Sequence, residues 1–127
     1  LGFAFLSYTN AVLESGVKII LEETKLESFI KNADFVITGE GRLDGQTVMG
    51  KAPIGVAEIA KKYEKKVLAF GGCVAEAATL CNQYGIDAFF PILRTVTTLK
   101  EAMDFNHAKE NLSAAVEQVF RLIQSFK

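Results

Sequence analysis

The sequence alternates between short unbroken apolar runs and longer stretches in which apolar residues recur at helical spacing. Phe35-Val36-Ile37 is β-rich and free of charge, and it stops at Thr38-Gly39. A run apolar on both faces suits a central strand of a parallel sheet. Val67-Leu68-Ala69-Phe70, closed by Gly71-Gly72, predicts a second strand. Ala88 to Leu93 predicts a third, with Pro91 marking it as an edge or irregular strand. Between the first two, Ile54, Val56, Ala57, Ile59 and Ala60 lie along one face of a helix ending near Tyr63. Pro53 sits near its start, and Lys61, Lys62, Lys65 and Lys66 lie at its C-terminal end. Ala75 to Tyr84 predicts a helix stopped by Gly85. Thr98, with Glu101 three residues later, makes an approximate capping box. From about Asn106, the residues Ala108, Leu112, Ala115, Val116, Val119, Phe120 and Ile123 mark a long amphipathic C-terminal helix.

Toward the start the pattern is weaker. Phe3 to Glu14 is compatible with a buried helix ending at Ser15-Gly16, where Gly suits the position after a helix. Val17 to Leu21 fits helix or strand. Leu26 to Asn32 reads as a short helix with Phe29 and Ile30 inward. Alternation of helices and strands predicts right-handed βαβ units, hence an α/β fold: a three-layer α/β/α arrangement around a mainly parallel sheet. No repeat, low-complexity stretch or linker divides residues 1–127, so they read as one domain or domain fragment. Three strands make a small sheet. Leu1 also opens without Met or cap on an apolar, helix-patterned stretch, which suggests a piece of a longer chain.

Charge adds exclusions. Fourteen basic against fifteen acidic residues leave −1, which gives no reason to expect nucleic acid or an anionic membrane as partner. No apolar run approaches a membrane span, and the start lacks the basic region of a signal peptide. One histidine and two cysteines outside a CxxC arrangement do not make a zinc ligand set. Cys73 and Cys81 read as thiols in a reducing cytoplasm, although their spacing would allow a disulfide.

Candidate chemistry concentrates between Thr38 and Pro53. This segment leaves the carboxyl end of a predicted parallel strand, the edge where open α/β sheets bind ligands. Its glycines Gly39, Gly41, Gly45 and Gly50 permit positive φ and close approach to a ligand. The following helix points its free N–H groups back at the segment, favouring an anion. Arg42 could fork onto a phosphate or carboxylate, and Lys51 is a compact charge near the helix start. Glu40 and Asp44 could hold magnesium or accept a hydroxyl proton. Gln46 and Thr47 could orient a polar substrate. The segment is not a Walker A motif, because Gly50-Lys51 is followed by Ala52 and the upstream glycine spacing is wrong. It is not the dinucleotide fingerprint either. The residues alone reach anion or phosphate handling, with a surface Glu40–Arg42 pair as the bland alternative.

The run DFVITGEGRLDGQTVMGKAPIGVAEIAKKY, Asp34 to Tyr63, resembles the signature stretch of the bacterial glycerate kinases of the type-1 family. Every fixed element is present: Thr38, Gly39, Glu40, Gly41, Arg42, Asp44, Gln46, Thr47, Gly50, Lys51 and Pro53. Weaker similarity extends over the whole chain. The resemblance implies ATP-dependent phosphorylation of D-glycerate to 2- or 3-phosphoglycerate with magnesium. It also implies a much longer, two-domain enzyme of which this is the C-terminal portion. A glycine-rich segment would precede Leu1, and the missing N-terminal part of the same chain would be the partner. The isolated chain is then expected to be inactive, and its oligomeric state stays open.

Roles follow from side-chain chemistry, since the resemblance carries only the motif. Asp44, Lys51 and Arg42 are the catalytic candidates. Arg42 and Lys51 would bind the glycerate carboxylate or the transferring phosphate, Asp44 would orient or deprotonate the hydroxyl, and Glu40 would hold magnesium directly or through water. Thr38, Gly39, Gly41, Gln46, Thr47, Gly50, Gly71 and Gly72 are the candidates for substrate or phosphate binding. Gly71-Gly72-Cys73 reads as a second turn at the same edge, serving close approach to a ligand or a neighbour. His107 reads as a capping or surface residue, and Thr95 to Thr98 as a turn and cap. The alternatives are a kinase for another small hydroxy acid, a non-catalytic ligand-binding domain, and a fragment that folds but binds nothing strongly.

Overall fold

The computed structural model describes residues 16–127. The helix expected over Phe3 to Glu14 lies outside the described residues. Helices α1 (Gly16–Glu23) and α2 (Leu26–Ile30) come first. Strand β1 (Phe35–Leu43), helix α3 (Ala52–Lys62) and strand β2 (Lys66–Val74) form a βαβ unit. A 3₁₀ segment (Glu76–Tyr84) then leads to β3 (Ala88–Pro91), followed by α4 (Leu99–Met103) and α5 (Phe105–Gln124). The strands form one parallel sheet in the order β1-β2-β3.

Helices cover both faces, as a three-layer α/β fold requires. On one face Val36, Val67 and Ala69 pack against Ile54, Ala57 and Ala60 of α3, with Ile30, Ala78, Cys81 and Ile86. On the other, Leu68 and Phe70 pack against Val119 of α5, with Phe35, Ala115, Val116 and Ile123 around them. Phe35 meets Phe120 edge-on at 5.7 Å, and Phe70 stacks with Phe90 at 5.6 Å. The segment Val17 to Leu21 is helical. Gly16, the first described residue, lies in that helix. Gly55 of α3 marks the crossing with α1: a Cβ there would lie 2.7 Å from a Val17 methyl. Consecutive residues on a helix point about 100° apart, so α2 buries Ile30 and leaves Phe29 exposed, against the expectation that both point inward. The 3₁₀ segment runs where an α-helix is expected and ends, as expected, at Gly85 with φ +99°.

The largest correction concerns strand length. Neither β1 nor β2 stops at its glycines: β1 continues through Gly39 and Gly41 to Leu43, and β2 through Gly71 and Gly72 to Val74. Magnitudes explain this. Each strand glycine costs about 0.5–1 kcal/mol relative to alanine. Against that stand the full burial of Leu43, about 1.5–3 kcal/mol, the packing of Val74 on the same core and the continued pairing of the two strands. The strands pair from Phe35↔Lys66 to Leu43↔Val74, with no rung between Gly41 and Gly72. At that missing rung both strands reverse sides. Val36 and Val67 face α3 before it, and Leu43 and Val74 join the same core after it. A Cβ on Gly72 would lie 2.7 Å from the Gly41 carbonyl oxygen, so the reversal needs glycine at that place. Strand β3 ends at Pro91, short of the expected Leu93. It pairs only with β2 among the described residues, which fits the edge role its proline signalled.

At the opposite, amino edge of the sheet, Asp87 ties α3 to the start of β2. Its Oδ2 accepts from Lys61 Nζ at 2.6 Å and from the Val67 N–H at 2.7 Å. Burial pushes the Asp87 carboxyl up, but the bonds from Lys61 and Val67 outweigh it and hold the group below its ordinary value. A depressed folded-state pKa gives stability that is present above the unfolded value and lost as pH falls through the folded one. Asp87→Asn is therefore expected to cost about 1–2 kcal/mol near neutral pH. The gap to wild type should close on acidification, as read by denaturant unfolding at pH 7 and at pH 3.

Candidate active site

Two features meet at the carboxyl edge of the sheet. The first is a groove of about 970 Å³ on the α5 face. Its floor is Ile37 to Gly41 of β1 with Phe70, Gly72 and Cys73 of β2. Its wall is Ile92, Leu93, Leu99, Ala102 and Met103 with Ala108 and Leu112 of α5. The wall exists because α5 outruns the sheet. Its C-terminal half packs on the core, while Ala108 and Leu112 overhang the strand ends. Helix α4 is set by the expected capping box, in which the Glu101 N–H donates to Thr98 Oγ1 at 3.2 Å and the Thr98 N–H to Glu101 Oε2 at 3.3 Å. Leu99 and Met103 remain about three-quarters exposed. Polar groups are few: Thr38 and Glu40 from β1, and Thr97 and Thr98 from the far side. Glu40 forms no ion pair among the described residues.

The second feature is the turn after β1. Asp44 sits at its centre. Its Oδ1 accepts from the Gln46 N–H at 2.9 Å, and its Oδ2 pairs with Arg42 Nε at 3.2 Å. The Asp44 N–H donates to Thr47 Oγ1 at 3.1 Å, and the Thr47 N–H returns a bond to the Asp44 carbonyl at 3.1 Å. Burial pushes the Asp44 carboxyl up, but the Gln46 N–H, the charge of Lys51 and the Arg42 guanidinium together hold it below its ordinary value. Asp44 is thus a fixed carboxylate, suited to orienting a hydroxyl and poor at taking its proton. Lys51 stands at the N-cap of α3, whose first turn has no side-chain cap.

The sequence candidates therefore divide. Thr38, Gly39, Glu40, Gly41 and Gly72 line the groove. Arg42, Asp44 and Gln46 form one hydrogen-bonded cluster, with Lys51 close enough to act on Asp44. Thr47 is fully buried, and its hydroxyl accepts the Asp44 N–H within the turn. Gly71 is also buried, and a Cβ there would lie 3.0 Å from both the Leu43 side chain and the Cys73 carbonyl. Of the four glycines from Gly39 to Gly50, only Gly50 takes a positive φ, +96°. Gly39 instead permits close approach to the Phe70 carbonyl, 3.1 Å from where a Cβ would lie. His107 is an exposed residue in the first turn of α5, whose N-cap Asp104 accepts its N–H at 3.2 Å.

Sequence reasoning missed the groove wall. Leu99 and Met103 belong to a five-residue helix too short to show periodicity, and Ala108 and Leu112 fit the core stripe of α5. Both thiols are unpaired: Cys73 is exposed on the groove and Cys81 is buried, where burial pushes its thiol up. A maleimide is expected to modify Cys73 alone in the native protein and both residues after denaturation, as read by mass spectrometry.

Comparison with known proteins places this geometry. The chain is 41% identical over its full length to the glycerate kinase of Bacillus subtilis strain 168, covering 33% of that protein. It is 40% identical over 119 residues to the glycerate 2-kinase of Escherichia coli K12, covering 94% of this chain and 31% of that one. The crystal structure of a Salmonella typhimurium LT2 protein, provisionally named glycerate kinase 2, superposes with a TM-score of 0.71 at 35% identity, over 98% of this chain and 30% of that one. The chain thus spans about a third of the length of the curated relatives it matches. These matches do not bear out the expectation that this third is the C-terminal one. No helix among the described residues is long and apolar enough to cross a membrane. The family model for glycerate kinases matches residues 1–124, a span that includes the whole Thr38 to Pro53 signature, and the chain belongs to the glycerate kinase family.

Proposed function

We propose that the full-length polypeptide containing this chain transfers the γ-phosphoryl group of ATP to D-glycerate in the cytoplasm, and that this chain supplies part of the active site. The observation that carries the reading is the Arg42–Asp44–Gln46 cluster, with Lys51 at the start of α3, set beside the groove at the carboxyl end of β1. Phosphoryl transfer asks mainly for positioning and charge neutralisation. Arg42 and Lys51 offer positive charge for a carboxylate or a phosphate, and Asp44 is a carboxylate that stays ionised and can fix the attacking hydroxyl.

The two substrates differ in what they can match. Glycerate is small and polar throughout, so it suits the charged turn. The adenine base is the one large apolar moiety in the reaction and suits the groove. Glu40, near the carboxyl end of β1 and without an ion pair among the described residues, fits as a magnesium ligand, because magnesium takes one or two carboxylates together with phosphate oxygens. When bound, the ion neutralises charge on those oxygens. The isolated chain, holding about a third of the family's length, is expected to show no turnover.

The test is ADP release by the full-length polypeptide with ATP, magnesium and a panel of small hydroxy acids. The reading expects D-glycerate to be turned over best. Preference for another acid moves the assignment to that acceptor, and ADP release with none of them removes the kinase reading. In the same preparation ATP should slow maleimide modification of Cys73 on the groove floor. Equal protection by inorganic tripolyphosphate would place the base elsewhere.

A further inference from the structure

We propose that Thr47 is a positioning residue for Asp44 and not a ligand-binding group. The inference uses the kinase reading above for its activity readout but not for its structural one. Thr47 is the one polar side chain that is fully buried among the described residues. A buried polar side chain is retained where it satisfies a group that would otherwise go unpaired. Here that group is the Asp44 N–H, which leaves the end of β1 where the sheet can no longer supply an acceptor. Thr47 Oγ1 accepts it at 3.1 Å, and the Thr47 N–H donates to the Asp44 carbonyl at 3.1 Å. One residue therefore holds both main-chain polar groups of Asp44.

The rest of the clamp acts on the carboxylate. The Gln46 N–H takes Oδ1 at 2.9 Å, and Arg42 Nε takes Oδ2 at 3.2 Å. An ionised carboxylate has about four acceptor sites, so two contacts leave capacity for a substrate hydroxyl. The position of that remaining capacity is set by the backbone at Asp44, which Thr47 fixes. Threonine suits the task better than serine. Its β-branch restricts χ1, which aims Oγ1, and its methyl occupies the buried space. Gly50 at φ +96° closes the same turn, its N–H bonding back to the Thr47 carbonyl.

The experiment makes Thr47→Val and Thr47→Ser in the full-length polypeptide, each in wild-type and Asp44→Asn backgrounds. Small misplacement of a catalytic group costs up to about 100-fold in rate. Thr47→Val is therefore expected to lower kcat about 10- to 100-fold with KM for the hydroxy acid within about twofold. Thr47→Ser should recover most of that loss. In the Asp44→Asn background Thr47→Val should add almost nothing, because residues acting as a unit are not additive. Independently of turnover, amide exchange at Asp44 should speed up about tenfold or more in Thr47→Val and much less in Thr47→Ser. Equal kcat losses in both backgrounds, or an unchanged Asp44 amide, would overturn the inference. If the polypeptide phosphorylates no hydroxy acid, the kinase reading falls, and the exchange measurement alone still decides the role of Thr47.

Discussion

Asp44→Asn in the full-length polypeptide is expected to lower kcat by a factor of about a hundred or more, the range seen when a preorganised group is removed from a reacting centre. The substitution keeps an acceptor for the Gln46 N–H but removes the charge that pairs with Arg42 at 3.2 Å. The pH profile separates two roles for the residue. Burial favours the neutral carboxyl at Asp44, yet the Gln46 N–H, Lys51 and Arg42 together hold its pKa below the ordinary value. The wild-type acid limb governed by Asp44 must then lie below the usual carboxylate range, and turnover should be flat from there to neutrality. An Asp44 limb near pH 6–7 would mark it as a general base instead. A variant within a few-fold of wild type at all pH values would exclude Asp44 from the reaction.

The second large effect is structural. Gly72→Ala is expected to destabilise the protein by about 1–3 kcal/mol, while Gly41→Ala, directly across the sheet, should change stability much less. The asymmetry follows from what a Cβ would meet: the Gly41 carbonyl oxygen at 2.7 Å in one case, and nothing within 4 Å in the other. The obstacle at Gly72 is backbone and cannot swing aside. Relieving the clash parts β1 from β2 at the step where both strands reverse sides, so activity should fall together with stability. Denaturation midpoints of the two variants measured side by side decide the matter, and equal shifts would refute the account of the missing rung.

Much of this architecture is legible in the sequence. Runs such as Val67-Leu68-Ala69-Phe70, apolar on both faces, report a buried parallel strand because both faces meet helices, and they do. The α3 stripe, the Thr98–Glu101 box and the stop at Gly85 are local rules with local causes, and each is found in place. What the sequence hides is long-range. Glycine normally punctuates a strand, so Gly39, Gly41, Gly71 and Gly72 read as turns. They remain in the sheet because Leu43, further along, is buried by residues distant in sequence. Thr47 and Gln46 carry the polarity of ligand-binding residues, and only burial distinguishes the one that braces the turn from the one at its surface. The groove is hidden for a similar reason. Its wall is made where α5 passes beyond the sheet, a matter of relative element lengths in space.

The most direct test of the central claim is product identification by ³¹P NMR with the full-length polypeptide, ATP, magnesium and D-glycerate. The account predicts a phosphoglycerate resonance rising in step with ADP in wild type, and at about a hundredth of that rate or less in Asp44→Asn. ADP formed without phosphoglycerate, or phosphoglycerate formed undiminished by the Asp44 variant, would contradict it.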